Sequence, residues 1–524
     1  MAAAAAIGDL NVTDAGGPLL TDYFGVLAGG SYAVTLVIGS AVIPLLALVL
    51  CRFNSWYYEP SLRPSQAPLP PGDMGWPIFG NMLQFLFAFK WGDPQSFIGN
   101  YIKRYKRIGV YKAYMFGQPT VLATTPEACK FVLMGDEVFA SGWPKSTEAL
   151  MGRKSFTSIP PHEHRRLRRL TSATVNGPAA LSKFMPRLQA LATATMAQWA
   201  AQCAATGRPL PLLIELRKLT FNIIAEMFMG YSPGPKCDTV ERYYRHLNDG
   251  VRAMPIDLPG TAYHTALKSR RRLVELLQEA IDERREAMEK EAGLRKEDML
   301  ETLMLTQDED GSRLTDEEVI DLLLMYLNAG HESSAHTIMW ILILLRAHPQ
   351  YLAKVKEEQL EIRKNKKPNE ILNWEDYRKM TYLSQVVDET LRLINISPMV
   401  FRKSLEDVEF NGYTIPKGWH VQTWMRQVHL DPQVYPDPLK FDPDRWEREI
   451  PKAGAFIPFG AGAHMCPGND FAKLEIALFI HYAALFYEFT PVSPNATVIY
   501  LPHPRPKDWY PVRVQKIGHF EYTS

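Results

Sequence analysis

The feature that most constrains the fold of this chain is one long apolar segment, Asp316 to His348. Helix-forming residues fill it, and apolar side chains occur on nearly all sides, as in VIDLLLMYL and TIMWILILL. A helix that is apolar all round has to be enclosed, either by a large protein core or by lipid. The segment therefore predicts a helix through the middle of a large core, with a second membrane span as the alternative.

The centre of this segment favours the core interpretation. A polar run from Asn328 to His336 lies there, and such groups are costly in lipid unless they find partners. Within this run, Gly330 costs about 1 kcal/mol relative to alanine in a helix interior. We therefore expect something bulky against the backbone at Ala329 and Gly330. Next to them, Glu332 and Ser333 form an acid and alcohol pair suited to relaying protons.

Composition excludes several classes of protein. The 524 residues include 58 Lys and Arg against 57 Asp and Glu, so the net charge of +1 gives no basic excess for nucleic acid. The five cysteines are scattered without a C-x-x-C pair, which predicts neither a disulfide framework nor a zinc ribbon. A reducing compartment and a large packed core fit this composition best.

A second apolar run, Val26 to Leu50, is long enough as a helix to cross a hydrocarbon core of roughly 30 Å. The alternative is a cleaved signal peptide, which has a basic start and a short apolar core. Here acidic residues, Asp9, Asp14 and Asp22, precede a long apolar run instead. We therefore predict a membrane anchor.

Charge asymmetry predicts how the chain is arranged about this anchor. The first basic residues after it are Arg52 and Arg63, which places the body of the chain in the cytosol. Six prolines between Pro60 and Pro77 predict a stiff spacer. The predicted organisation is a lumenal tail at 1–22, an anchor at 23–51, a proline-rich linker at 52–80 and one cytosolic domain at 81–524.

The rest of the chain is predicted to be mainly helical with small β-sheets. Two β-hairpins are expected, one over Val110 to Thr125 and one around Asn411-Gly412. Helical patterns cover Leu188 to Ala205, Ser269 to Glu291 and Trp374 to Leu393. No internal repeat occurs at a fixed period.

Two apparent motifs do not carry the chemistry they suggest. His331 and His336 resemble a zinc-protease pair, but they are five residues apart, about 140° around a helix, and cannot share one metal. Gly460 and Gly462 suggest a dinucleotide loop, but Met465 stands at the third glycine position. We therefore expect no bound NAD or FAD.

The most informative loop runs from Pro458 to Gly468 and holds one cysteine, Cys466, just before a helix over Asp470 to Phe486. Backbone N–H groups and the positive end of that helix would stabilise a thiolate there. The alternative is a buried free cysteine, the usual state of a lone cysteine.

The spacing of residues in this loop resembles the haem-binding F-x-x-G-x-R-x-C-x-G signature of the cytochrome P-450 family, with Phe459, Gly462, Cys466 and Gly468 in place. Three more of the family's motifs follow in its order: Ala329-Gly330-x-Glu332-Ser333, Glu389-x-x-Arg392 and Phe441-x-Pro443-x-Arg445-Trp446. The resemblance implies the cytochrome P450 fold, with a single large haem domain behind an N-terminal transmembrane helix, and haem b as cofactor.

The resemblance also implies roles for particular residues. Cys466 would be the thiolate ligand of the haem iron, which in this family favours O–O cleavage. Glu332 and Ser333 would be the catalytic proton relay. The residues expected to contact haem are Cys466, Phe459, Gly462, His464, Gly468, Arg168, His164, Arg402, Ala329 and Gly330.

Three of these positions are expected at the haem propionates. Arg168 and Arg402 match arginines that bind propionates in the family, and we hypothesise that His464 hydrogen-bonds a propionate as well. His164 stands where many members have tryptophan. The alternative for His164 and Arg168 is a solvated helix face. Glu389 and Arg392, together with Arg445, would brace the haem-binding core and have no catalytic role.

Several stretches also resemble the plant ent-kaurenoic acid oxidases of gibberellin biosynthesis. They are PPGDMGWPIFGNM, RKLTF, LMYLNAGHESS, DETLRLI, NGYTIPKGW, FGAG, CPGND and YLPHPRPKD. This resemblance implies an endoplasmic reticulum monooxygenase that oxidises ent-kaurenoic acid in successive steps to gibberellin A12. A separate NADPH-dependent flavoprotein reductase would dock on the Cys466 side of the haem.

Two residues depart from the family pattern. Ser333 replaces the usual threonine but keeps its hydroxyl, as the ent-kaurenoic acid oxidases also do. His464 replaces an arginine two residues before the thiolate, which exchanges a permanent cation for a ring that titrates near neutrality.

Two other functions remain as alternatives. One is a different plant terpenoid or sterol hydroxylase, which would differ only in pocket residues. The other is a haem-thiolate protein that binds a ligand without activating oxygen, although such a protein tends to lose the proton relay that Glu332 and Ser333 provide.

By family position, four segments are expected to face the substrate: Ser146 to Phe156, Met325 to Ala329, Asn395 to Val400 and Tyr500 to His503. A substrate carboxylate in an apolar pocket needs a cation or several donors. Arg153 is the candidate cation.

Overall fold

The computed structural model of the chain describes residues 49–50, 52–290, 298–367, 369–448, 451–501 and 503–518. The predicted lumenal tail and all but two residues of the predicted anchor lie outside these ranges. Among the described helices, none is both long enough and apolar enough to cross a membrane.

The architecture is mainly helical, as predicted. The helices are α1 (Met82–Lys90), α2 (Pro94–Tyr105), α3 (Pro126–Met134), α4 (Lys145–Met151), α5 (Pro161–Val175), α6 (Pro178–Thr206), α7 (Leu212–Met229), α8 (Pro235–Val251), α9 (Ala262–Lys290), α10 (Met299–Leu305), α11 (Asp316–Ala347), α12 (Pro349–Arg363), α13 (Trp374–Arg378), α14 (Thr381–Ile394), α15 (Met425–His429), α16 (Arg445–Arg448) and α17 (Asn469–Phe486).

The strands are short and form small sheets. They are β1 (Val110–Met115), β2 (Gln118–Ala123), β3 (Phe139–Ser141), β4 (Leu210–Pro211), β5 (Val400–Ser404), β6 (Val408–Phe410), β7 (Tyr413–Ile415), β8 (His420–Thr423), β9 (Tyr487–Pro491), β10 (Val498–Ile499), β11 (Arg505–Pro506) and β12 (Pro511–Lys516). One sheet has the order β1-β2-β8-β5-β3, with only β2 and β8 parallel. A second has the order β4-β12-β9, and β6-β7 and β10-β11 are two-stranded.

Helix α11 runs through the core, as the sequence predicts. Its start is fixed by a capping box in which the Thr315 side chain accepts the Glu318 N–H and the Glu318 carboxylate accepts the Thr315 N–H. Its 32 residues make it about 48 Å long. It packs against α7, α14 and α17, and most of its apolar side chains are buried. Protein therefore encloses this helix, and the alternative of a second membrane span is wrong.

Both predicted hairpins form, as β1-β2 and β6-β7. The helix predicted from Trp374 to Leu393 is instead two helices, α13 and α14. The Glu358 carboxylate accepts hydrogen bonds from the backbone N–H groups of Tyr382 (2.6 Å) and Leu383 (3.0 Å), so it caps a new helix start. Helical propensity alone does not predict such a cap from a distant residue.

The proline-rich segment before α1 lies against the body of the protein. The Asn54 side chain, which is buried, donates to the carbonyls of Met74 (2.9 Å) and Trp76 (2.7 Å). The backbone N–H of Thr414, in β7, donates to the carbonyl of Pro68 (2.9 Å). These contacts hold the segment in place relative to the sheets.

Candidate active site

The loop before α17 places Cys466 at the start of the site. The Cys466 N–H donates to the Phe459 carbonyl at 2.8 Å, which closes the loop into a tight turn. Gly462 has a φ of +71°, and a Cβ there would lie 2.1 Å from the Leu133 carbonyl oxygen, so only glycine fits. Gly468 is the N-cap of α17.

Burial raises the pKa of the Cys466 thiol, while the Gly468 N–H and Arg168 act to lower it. The protein therefore does not by itself hold the sulfur as a thiolate. A bound metal cation deprotonates a coordinating thiol, so Cys466 is suited to become a thiolate when iron binds.

Basic side chains from three elements surround the space beside Cys466. Arg168 and His164 come from α5, Arg402 from β5 and His464 from the cysteine loop. The rings of His164 and His464 are 3.8 Å apart between centroids. Burial, with the nearby positive groups, lowers the pKa of His164 to about 3 and that of His464 to about 4. Both rings are therefore neutral at pH 7 in this arrangement.

Two nitrogens of these basic groups have no hydrogen-bond partner among the described residues, although Arg402 Nη1 donates to the Phe401 carbonyl at 3.0 Å. Burial lowers the pKa of Arg402 to about 10, and its buried Nε has no hydrogen-bond partner among the described residues. The buried Nδ1 of His164 also has none there. A carboxylate near them, Asp136, accepts the Ala463 N–H at 2.9 Å and acts to raise the pKa of both Arg402 and His164. Unpaired buried donors fit an anionic group placed beside them.

The arrangement therefore fits a haem. Its two propionates would supply the acceptors that Arg402 Nε and His164 Nδ1 lack, with Arg168 and His464 beside them. Cys466 would supply the ligand to iron. Phe459 is partly buried against the main core, and the Lys473 ammonium lies 5.9 Å from its ring centroid.

Gly330 lies where α11 packs against a neighbouring helix. A Cβ at this position would lie 2.7 Å from Cδ1 of Ile224, which belongs to α7. The bulky group expected against the backbone is therefore the side chain of a neighbouring helix. Gly330 thus allows the close packing of α7 on α11, and its expected contact with the cofactor stays a prediction.

The predicted proton relay occupies the next turn of α11. The Ser333 hydroxyl donates to the Ala329 carbonyl at 3.3 Å within the helix and is partly exposed. Glu332 is bound by two arginines. Arg217 Nη2 lies 3.1 Å and Arg252 Nη2 lies 2.6 Å from the same carboxylate oxygen, Oε2.

This ion pair sets the charge of Glu332. Burial acts to raise its pKa, but Arg252 and Arg217 hold the pKa well below its usual value. The carboxylate is therefore ionised at pH 7 and accepts hydrogen bonds. The Glu332 carboxylate has to break its ion pair with at least one arginine before it can accept a proton.

A second glutamate, Glu389 of α14, also lies between two arginines. Arg392 donates to both oxygens of Glu389 at 2.9 Å, and Arg445 Nε donates to Oε1 at 3.0 Å. The Glu389 and Arg392 side chains are 0% exposed. The remaining guanidinium N–H groups of Arg392 donate to backbone carbonyls, including that of His429 at 2.8 Å. The predicted brace is thus a closed hydrogen-bond network.

The predicted substrate-facing segments come together in part. His503 Nδ1 lies 2.8 Å from the Ile396 carbonyl, and the Asn328 amide lies 3.8 Å from the sulfur of Met151. Arg153, the candidate cation, is exposed to solvent.

Three residues of the site were missed by sequence reasoning: Arg217, Arg252 and Asp136. They reach it from elements distant along the chain, and Arg217 is 115 positions from Glu332. No motif or period in the sequence marks them.

Comparison with known proteins supports the resemblance. The family model "Cytochrome P450" matches residues 70–497. The chain is 52% identical to ent-kaurenoic acid oxidase 2 of Arabidopsis thaliana, covering 88% of this chain and 94% of that one. It is 50% identical to ent-kaurenoic acid oxidase 1 of Hordeum vulgare, covering 92% and 97%. Among solved structures, a retinoic acid-bound cyanobacterial P450 is similar, with a TM-score of 0.76, 28% identity, and coverage of 86% of this chain and 100% of that one.

Proposed function

Since the chain belongs to the cytochrome P450 family and is a monooxygenase of that family, we propose that it oxidises ent-kaurenoic acid in successive steps to gibberellin A12. The observation that carries the proposal is identity of 50% or more to two ent-kaurenoic acid oxidases over nearly the whole chain. The similar solved structure has retinoic acid bound, which is also an apolar isoprenoid carboxylic acid.

Haem b is the proposed cofactor, and when bound it supplies the centre at which dioxygen is reduced and cleaved. The chain's own residues hold and protect that centre. Cys466 would provide the sulfur ligand to iron, and Arg168, Arg402 and His464 would provide charge and donors for the propionates. The closed Glu389 network binds backbone groups between His429 and Asp442 and holds that segment in one conformation.

Proton delivery is assigned to Glu332 and Ser333. The Ser333 Oγ–H now donates to the Ala329 carbonyl, and rotation about χ1 would direct it into the space beside the helix. Glu332 can replace the proton on Ser333 only after its carboxylate has separated from Arg217 or Arg252 and taken up a proton from water. Both groups are needed to bring protons to a site that excludes bulk water.

Product analysis tests the proposed function. Microsomes that contain this chain and a plant NADPH-dependent reductase should convert ent-kaurenoic acid through a 7-hydroxy intermediate to gibberellin A12. The Cys466→Ala variant should be inactive and should lack the red-shifted Soret band of the reduced carbon monoxide complex. Conversion of a sterol but not of the diterpenoid acid would assign the chain to another hydroxylase. Haem and ligand binding without any oxidation would assign it to a binding protein.

We also propose that the protein is anchored in the endoplasmic reticulum membrane by residues 23–51, with its haem domain in the cytosol beside the reductase. Large apolar side chains near the start of the described chain support contact with lipid: Trp56, Ile78, Phe87 and Trp91 are 64–81% exposed. After alkaline carbonate washing, the full-length chain should stay with the membrane. A deletion of residues 1–51 should release a larger fraction, and equal retention would contradict the anchor.

A further inference from the structure

A cluster of arginines lies beside Glu332, apart from the basic side chains that fit the haem propionates. Arg217 comes from α7, Arg252 from the end of α8, and Arg505 from β11. Arg505 stacks on Trp509, with its guanidinium carbon 3.6 Å from the ring centroid, and Arg217 lies 5.2 Å from the same centroid. Elements from three distant parts of the chain therefore bring positive charge to one place.

The cluster carries more positive charge than its carboxylate neutralises. Three guanidinium groups face one buried carboxylate, that of Glu332, and the nearby Asp249 is exposed. Burial, and then Arg217 and Arg252, lower the pKa of Arg505, which shows that the arginines repel one another. Burial also lowers the pKa values of the neighbouring histidines, which therefore add no positive charge at pH 7: His331, His336 and His503.

The hydrogen bonds of the cluster are incomplete. Both arginines that contact Glu332 donate to a single oxygen, Oε2. The buried Nε of Arg217 has no partner in the described part of the chain. Buried guanidinium donors normally find acceptors, so the cluster has capacity for a second anion.

The backbone around Trp509 holds this arrangement. Trp509 and Tyr510 have φ values of +66° and +54°, in the left-handed region that is uncommon for such residues. Their carbonyls accept the N–H groups of Leu213 and Leu212, at the start of α7, at 3.2 Å each. This cap fixes Trp509, and with it Arg505, beside the helix that carries Arg217.

The cluster adjoins the expected substrate pocket. His503, two residues before Arg505, binds the Ile396 carbonyl at 2.8 Å and lies 5.0 Å from the His336 ring. Two of the segments expected to face substrate thus meet beside His336, one turn of α11 beyond Glu332. We propose that Arg252, with Arg217 and Arg505, binds the carboxylate of the diterpenoid acid substrate, an inference that rests on the proposed function.

The proposal makes Glu332 a competitor of the substrate, because both are carboxylates and both use Arg252 and Arg217. Removing the guanidinium of Arg252 should weaken binding of the acid. Removing the charge of Glu332 should strengthen it, because both arginines become available and one repulsive charge is lost. A neutral analogue should respond to neither change.

Binding can be measured on the haem-loaded protein by equilibrium dialysis with radiolabelled ligands, independently of turnover. The ligands are ent-kaurenoic acid and the alcohol in which CH₂OH replaces its carboxylate. For Arg252→Gln we expect about tenfold weaker binding of the acid, equivalent to about 1.4 kcal/mol, and unchanged binding of the alcohol. For Glu332→Gln we expect several-fold tighter binding of the acid only. Arg242→Gln, which removes an exposed arginine from the same helix, is the matched control and should resemble wild type.

Loss of acid and alcohol binding to the same degree in Arg252→Gln would overturn the carboxylate site, and so would unchanged binding of the acid. Weaker acid binding in Glu332→Gln would also overturn it. Wild-type protein that binds and converts ent-kaurenoic acid would leave the proposed function standing in these cases. Wild-type protein that does not bind this acid would overturn the proposed function, and the inference with it. The reduced carbon monoxide spectrum of each variant verifies that its haem site is folded.

Discussion

Two glutamates in this protein each lie between two arginines, but the two clusters differ in how their bonds are arranged. In the Glu389 cluster, both carboxylate oxygens are used, and Arg392 binds them side by side. In the Glu332 cluster, both arginines share one oxygen. The Arg392 side chain is 0% exposed, whereas Arg217 and Arg252 are 20% and 21% exposed.

The difference shows that one glutamate with two arginines can have two different roles, depending on how the hydrogen bonds are arranged. A bidentate pair whose remaining donors all bind backbone carbonyls has a single low-energy arrangement, which suits it to holding a fold. In the Glu332 cluster, by contrast, the arginines contact only one carboxylate oxygen, Arg217 keeps an unpaired N–H, and water can reach both arginines. Such an ion pair can exchange partners at modest cost. We therefore assign the Glu389 cluster to structure and the Glu332 cluster to substrate and proton handling.

The largest expected effect comes from breaking the closed cluster. Glu389→Gln leaves two buried guanidinium groups without their counter-charge, which should lower the free energy of unfolding by about 3–5 kcal/mol. Urea denaturation of the haem-loaded protein measures this loss. Glu406→Gln, at an exposed position, is the control. Equal stability of the two variants would show that the Glu389 cluster does not hold the fold.

A third buried glutamate, Glu475 of α17, sharpens the comparison because neither of its oxygens is paired with a cation among the described residues, and the Ser334 hydroxyl beside it acts only to lower its pKa in part. Burial raises its pKa from the usual 4.5 to about 8. The unfolded chain therefore loses this proton at lower pH than the folded protein does, so stability falls as pH rises from about 4.5 to 8. Between pH 6 and 8, this group alone should reduce the free energy of unfolding by about 2 kcal/mol.

Glu475→Gln should remove that pH-dependent loss, so that the variant gains stability relative to wild type at pH 8. Urea denaturation at the two pH values measures the difference. Glu488→Gln, at an exposed position, should keep the wild-type dependence. The same slope in wild type and Glu475→Gln would show that Glu475 is not buried as a neutral acid.

A smaller effect is expected where α7, which carries Arg217, meets α11. Gly330→Ala places a methyl group against Ile224, and overpacking costs about 1–3 kcal/mol, partly offset by about 1 kcal/mol of helix propensity. Because Cδ1 is the flexible end of the Ile224 side chain and can shift, the net loss should not exceed about 1 kcal/mol. Adding Ile224→Val makes room, so the double variant should lose less stability than the sum of the two single variants. Simple additivity in thermal or urea unfolding would contradict the contact.

The smallest effect is expected at His464, among the basic side chains that fit the haem propionates. His464→Arg introduces a permanent cation beside the neutral His164, at a position expected near a propionate. Haem should be retained at least as well as in wild type, as measured by the rate of haem transfer to an excess of apomyoglobin. Faster haem loss from the variant would show that the imidazole itself is required.

Much of the fold follows from the sequence because its signals are local. The apolar run of α11, the Asn411-Gly412 turn and the glycine at 462 each specify their own backbone. The division between α13 and α14 does not follow, because Glu358 caps α14 from another helix. Local patterns contain no information about such distant partners.

The residues of the site likewise divide into those that the sequence predicts and those that it does not. Cys466, Glu389 and Arg392 lie in short motifs and could be named from the sequence. The partners of Glu332 could not, because Arg217 and Arg252 are 115 and 80 positions away and belong to no motif. Predicting them requires the packing of α7 and α8 on α11, which depends on contacts such as Gly330 with Ile224.

The central claim is that the Glu389 cluster stabilises the fold whereas the Glu332 cluster handles substrate and protons. The Glu332→Gln variant tests this claim most directly. The measurement is product formed per NADPH consumed, on haem-loaded protein with reductase, alongside the free energy of unfolding. We predict stability within about 1–2 kcal/mol of wild type, since the arginines keep access to water, and at least about tenfold less product per NADPH. A loss of stability as large as that of Glu389→Gln, or wild-type coupling of NADPH to product, would contradict the claim.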